Sequence, residues 1–93
     1  MKDTKRKRFL EYLIDLGIDI DSTGQTIKAK YKNEYLFSIS DLSRYLMEVT
    51  GNLKYLKDEN IDVADLYMNI INYASLEIED RNKEIELVRR ADD

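Results

Sequence analysis

Residues 26–40 read TIKAKYKNEYLFSIS and consist of two runs in which apolar and polar side chains alternate. Ile27, Ala29 and Tyr31 are interleaved with Lys28, Lys30 and Lys32, and Tyr35, Phe37 and Ile39 repeat the pattern. A period of two places one set of side chains on a buried face and the other in solvent, so both runs are expected to be strands. A three-residue connection (Lys32, Asn33, Glu34) sets Tyr31 opposite Tyr35, Ala29 opposite Phe37 and Ile27 opposite Ile39. Two strands alone are marginal in water, so the hairpin must pack on a helix or extend through a partner's sheet. Tyr31 and Tyr35 are therefore candidate partner-binding residues, since tyrosines that stay partly exposed serve as interface anchors.

Immediately upstream, DIDSTGQTIKAK (Asp19–Lys30) begins like a calcium loop, with carboxylates at loop positions one and three and glycine at six. The bidentate acid required at position twelve is Lys30, so a cation stands where a cation should bind. The expectation is a turn over residues 18–25 whose Asp, Ser and Thr side chains bond their own backbone, with no metal site. Before it, Asp3 or Thr4 caps a first helix with Phe9, Leu10, Leu13, Ile14 and Leu16 at helical spacing. Gly17 ends that helix in the left-handed conformation, and Ile18 folds back onto its last turn.

Downstream, Ser38 and Asp41 have the spacing of a capping box, and Ile39, Leu42, Tyr45, Leu46 and Val49 fall on one helical face. A central helix is expected there, ending at Gly51, with a short helical turn at Leu53 and Leu56. The segment compares poorly with a helix-turn-helix, because its second run is short and leads into Asp58 and Glu59, which repel phosphates. Asp62 then caps a last helix, with Ile61 and Leu66 placed as a hydrophobic staple. No glycine or proline interrupts residues 63–90, so the pattern predicts one helix of about 28 residues, roughly 42 Å long. Along it, Ile71, Ile78 and Ile85 at heptad position a, with Ala74, Arg81 and Val88 at d, form a candidate self-association seam.

Hydrophobic residues at 43% and charged residues at 37% exclude a wholly disordered chain, and 93 residues make one modest domain. No apolar run approaches the roughly 20 residues that span a bilayer, and the basic start MKDTKRKRFLEYL is not a signal segment. The expected location is cytoplasmic, with no membrane partner. Lacking both Cys and His, the chain has no thiolate nucleophile, imidazole base or usual zinc ligand. It also has no G-x-S-x-G and no phosphate-binding glycine loop. Neither catalysis nor a cofactor is expected.

Lys5, Arg6, Lys7 and Arg8 gather at the start of the first helix, where the helix dipole disfavours cations. They are candidate partner-binding residues for an acidic protein surface or for nucleic-acid phosphate, against a net charge of -4. The expected fold is α+β and predominantly helical: an N-terminal helix, a β-hairpin, a central helix with a short helical turn, and a long C-terminal helix. It forms a single domain over residues 1–93, with 79–93 a charged end that projects or self-associates.

The expected function is a small non-enzymatic module, homodimeric through the heptad seam, that binds a larger protein as an inhibitor or adaptor. Its Lys, Ile, Asn and Tyr content suits an accessory protein of a phage or mobile element. The alternative is a dimeric nucleic-acid-binding regulator that uses the basic cluster.

Overall fold

The computed structural model describes residues 3–22 and 25–83. Helix α1 (Lys5–Asp15) is capped by Thr4, whose hydroxyl accepts from the Lys7 amide at 3.0 Å. It closes as its glycine implies. Gly17 has φ of 83°, its amide bonds to the Ile14 carbonyl, and the Ile18 amide reaches back to Leu13 at 3.1 Å. This is a Schellman ending, and it drives Ile18 into the core.

Four strands follow, β1 (Asp19–Asp21), β2 (Thr26–Tyr31), β3 (Glu34–Ser40) and β4 (Met47–Val49). They form one antiparallel sheet in the order β1-β2-β3-β4. Strand β1 replaces part of the turn expected over residues 18–25. Asp19 pairs with Lys30 and Asp21 with Lys28, so opposite charges face each other across the strands. The two carboxylates of the calcium-like motif thus lie along a strand beside lysines.

The hairpin pairs Ile27 with Ile39 and Ala29 with Phe37, but its turn is tighter than the three-residue connection. Lys32 and Asn33 both have positive φ (50° and 70°), as a two-residue type I′ turn requires, and Tyr31 faces Glu34. That single-residue shift would turn Phe37 and Ile39 to solvent. A bulge at Leu36 absorbs it, because Lys30 pairs with Tyr35 while Ala29 pairs with Phe37. Leu36 and Phe37 are consequently both buried.

The predominantly helical body is corrected by the structure in two places. Among the described residues 46% are helical and 25% are in strands, and neither the central helix nor the single long C-terminal helix is present. Where the central helix was expected, β3 runs on to Ser40, an irregular loop covers residues 41–46, and β4 returns along β3. Pairing buries Ile39 completely between Ile27 and Met47. The Ser40 hydroxyl accepts from the Leu42 and Ser43 amides, and Tyr45 takes φ of 69°, which no α-helix contains. The short helical turn is a 3-10 helix (Gly51–Glu59) capped by the Thr50 hydroxyl and ended by Asn60 at φ of 65°.

Helix α2 (Val63–Ala74) begins where expected, with the Asp62 carboxylate accepting from the Asp65 amide at 3.0 Å. It stops at Ala74, and α3 (Ile78–Arg81) starts after an extended Glu77. No glycine or proline signals this break; donors from elsewhere cause it. The Tyr45 amide and the Arg81 guanidinium both bond to the Ala74 carbonyl, and Arg44 Nε bonds to the Ser75 carbonyl. These are acceptors that a continuing helix would have used.

The helices cover one face of the sheet. Phe9 and Leu13 of α1, Leu66, Ile70, Tyr73 and Ala74 of α2, and Leu53 and Leu56 of the 3-10 helix meet Ile27, Ala29, Leu36, Phe37 and Ile39. Phe9 stacks on Tyr73 with ring centroids 4.4 Å apart, and the Tyr12 hydroxyl ties α1 to Asp65 of α2 at 2.7 Å. The other face, carrying Lys28, Lys30 and Glu48, is open to solvent.

Candidate functional site

The residues singled out from the sequence do not converge. Arg6 to Lys5 or Lys7 is a turn of about 100° around α1, so the basic cluster is distributed around the helix. Arg6 is bound to Asp41 through Nη2 (3.1 Å) and Nε (3.3 Å), and Arg8 bonds to Asp3 at 2.8 Å. Lys5 is exposed and, with Arg8, borders a groove between α1 and α2 floored by Phe9 and Tyr73. Lys7 is half-buried.

Tyr31 and Tyr35 lie on opposite faces of the sheet. The Tyr31 hydroxyl donates to Glu59 at 3.1 Å on the helical side, and that of Tyr35 donates to Glu48 at 3.0 Å on the open side. Burial raises the Tyr35 hydroxyl above its ordinary pKa, and the bond to Glu48 adds to that shift. Glu59 also accepts from Lys32 at 2.9 Å, and this bond lowers the glutamate's pKa and raises the lysine's.

The heptad seam is corrected as well, because it needs one continuous helix with its a and d residues outermost. The break at residues 75–77 divides it, Ala74 and Arg81 are buried in the protein's own core, Ile78 is half-buried and Ile71 is exposed. Ile85 and Val88 lie outside the described residues, as do 84–93 of the expected charged end.

Arg81 has a structural task instead. It is fully buried, its guanidinium lies 4.7 Å over the Tyr73 ring, and it donates to the Ser40 and Ala74 carbonyls and to Asp41 Oδ1. Asp41 therefore sits between Arg6 of α1 and Arg81 of α3, and it also accepts from the Tyr73 hydroxyl at 3.2 Å. Burial, followed by the charge of Asp41, pushes the Tyr73 hydroxyl well up. This cluster fixes α3 and the 41–46 loop to the body; every charge in it is matched by an opposite one or by carbonyls.

Apart from Arg81 Nε, a buried donor without an acceptor among the described residues, what remains unaccounted for is apolar. Helix α2 is hydrophobic around most of its circumference. One stripe is buried, while Tyr67, Met68 and Ile71 form a second at i, i+1 and i+4 that faces solvent, with Met68 at 56% exposure. The 41–46 loop adds Leu42 (62%), Tyr45 (63%) and Leu46 (59%), and the Tyr45 amide bond to Ala74 seats that loop against the end of α2. At the other end, Tyr67 and Val63 share a shallow depression with Val49 of β4. Among the described residues, six of the eight large exposed hydrophobic residues thus belong to α2 and the loop seated against it, leaving Ile14 and Tyr55 elsewhere.

The sequence reading missed this surface because it assigned Leu42, Tyr45 and Leu46 to a helix and Ile71 to a seam. One signal was present: α2 carries more apolar residues than one buried face of a small domain accommodates. Among the described residues, no group of three or more His, Cys, Asp or Glu is placed to hold a metal ion, and no helix is long and apolar enough to cross a membrane. No protein-family model, curated protein or solved structure matches the chain.

Proposed function

We propose that the protein is a non-enzymatic interaction module that binds a larger protein through the surface formed by Tyr67, Met68 and Ile71 of α2 and Leu42, Tyr45 and Leu46 of the adjoining loop. The observation that supports it is the concentration of exposed large apolar side chains on one helix face and one loop. Large contiguous apolar surface is rare on soluble monomers and marks protein contacts, where tyrosine and methionine are enriched. Such a module acts by occupying a site on its partner, as an inhibitor or an adaptor does.

The nucleic-acid reading is weaker because Arg6 and Arg8 already hold carboxylates and the net charge is -4.

The test is affinity capture with the tagged protein, with and without nuclease, at low and high salt. The module reading predicts a discrete protein that persists through both treatments, since apolar contact is little screened. It also predicts that the triple variant Tyr67→Ser, Met68→Ser, Ile71→Ser loses that protein while keeping its thermal stability. Nucleic acid that dissociates at high salt, with no protein retained, would overturn it.

A further inference from the structure

Strand β4 ends the sheet, and its outer edge has an unused hydrogen-bonding row. The Ser40 amide donates to Leu46 and the Thr50 amide donates to Leu36, both at 2.9 Å, while Ser38 pairs with Glu48. Antiparallel pairing alternates, so the Leu46 carbonyl, the Thr50 amide and the backbone groups of Glu48 face β3. The amides and carbonyls of Met47 and Val49 consequently point away from the sheet, and among the described residues no strand lies on that side. Met47 and Val49 are half-buried toward the helical layer, whereas Glu48 is exposed on the open face.

Resting on the interaction reading above, we infer that β4 receives an extended segment of the partner protein as a fifth strand, with a basic residue opposite Glu48 and apolar residues on either side. The alternation dictates that pattern. A side chain opposite Glu48 projects on the open face beside its carboxylate, one oxygen of which is already taken by the Tyr35 hydroxyl. The flanking side chains project to the other face, toward the depression lined by Val49, Leu53, Val63 and Tyr67. Backbone bonds along the edge then supply affinity, and the alternate side chains supply selectivity.

Charge decides between a foreign segment and a second copy. Pairing two copies of β4 about a two-fold axis through all three residues sets Glu48 directly against the Glu48 of its partner copy, and like charges directly opposite are unfavourable. Strand β1, at the other edge, carries Asp19 and Asp21 paired with Lys30 and Lys28, so its acids already face cations. The β4 edge combines outward backbone groups, a central acid whose paired strand residue is Ser38 and not a cation, and an apolar flank.

The test is selection from a displayed library of random heptapeptides, followed by titration of the most enriched peptide with blocked ends. The expected consensus alternates, with Lys or Arg between two apolar residues. Val49→Pro removes an outward amide that the fold does not use, and it should weaken binding at least tenfold at unchanged melting temperature. As a control that leaves the protein intact, N-methylation of the peptide amides facing β4 should cause a similar loss. Glu48→Lys should move the central preference to Asp or Glu.

A consensus at helical spacing, no enriched peptide, or binding indifferent to both Val49→Pro and N-methylation would overturn the inference. So would a concentration-dependent dimer that Val49→Pro abolishes, which would make a second copy the occupant. If the α2 triple variant loses the captured protein while Val49→Pro retains it, the interaction reading stands and the added strand falls. If the wild-type protein captures nothing, both fall.

Discussion

On α2, Leu66, Ile70, Tyr73 and Ala74 are buried in the core, while Tyr67, Met68 and Ile71, interleaved with them, are 45%, 56% and 38% exposed. The side chains on the two faces are chemically alike. Their difference is in what they contact, so apolar character reveals that a residue seeks cover and not where the cover comes from. The buried face finds β2, β3 and α1 within the chain. Among the described residues the outer face meets the edge of β4 at one end and the 41–46 loop at the other, and that loop brings further exposed apolar residues rather than cover.

The comparison is broken most sharply by truncating one residue from each face. Ile70→Ala should cost about 2–5 kcal/mol, because it removes methyl groups from a close-packed site and leaves a cavity. Ile71→Ala, one position along and 38% exposed, should cost no more than about 1 kcal/mol. Urea unfolding of the two variants measures both. Equal losses would mean that the outer face is also core.

The buried cation comes next in expected size. Arg81→Met leaves the Ser40 carbonyl without its side-chain donor and leaves Asp41 with only Arg6 and the Tyr73 hydroxyl, and should cost about 3 kcal/mol. Arg81→Lys should recover only part of this, since one ammonium cannot reproduce the fork that joins Ser40, Asp41 and Ala74. Unfolding midpoints of the pair provide the check.

Much of the first half of the fold was legible because its signals are local. Thr4, Gly17 and the alternation in residues 26–40 act through their immediate neighbours, and the helix start, its Schellman ending and two of the three hairpin pairs follow from them. The failures share another cause. Ile39, Leu42, Tyr45, Leu46 and Val49 satisfy helical spacing, yet Ile39 is buried more completely by pairing within the sheet, and the pattern was coincidental. Residues 75–77 have good helical composition, and the helix stops because Tyr45, Arg44 and Arg81 take its last carbonyls from elsewhere. Of the candidate site, Ile71 was singled out for the wrong partner. Met47 escaped notice and Val49 was placed on a helical face, because an open edge exists only once the strand order is known.

Alkaline pH sharpens the contrast between covered and uncovered tyrosines. Burial first, then the bond to Asp65 for Tyr12 and the charge of Asp41 for Tyr73, raise both hydroxyls above the unfolded value of about 10. Below that pH both are neutral in either state and their contribution is complete. Above it the unfolded chain releases protons that the folded protein retains, so stability falls as pH rises. Urea midpoints at pH 8, 10 and 11 should decline, and Tyr12→Phe with Tyr73→Phe should flatten the decline; an equal slope in that double variant would assign it elsewhere.

The smallest expected change is in the stability of Val49→Pro, which should remain within about 0.5 kcal/mol of wild type because the lost amide faces outward.

The most direct measurement joins unfolding free energy to partner capture in the Tyr67→Ser, Met68→Ser, Ile71→Ser protein. The account predicts stability within about 1 kcal/mol of wild type together with loss of the captured protein. Retained capture, or a loss of several kcal/mol that marks the outer face as core, would contradict it.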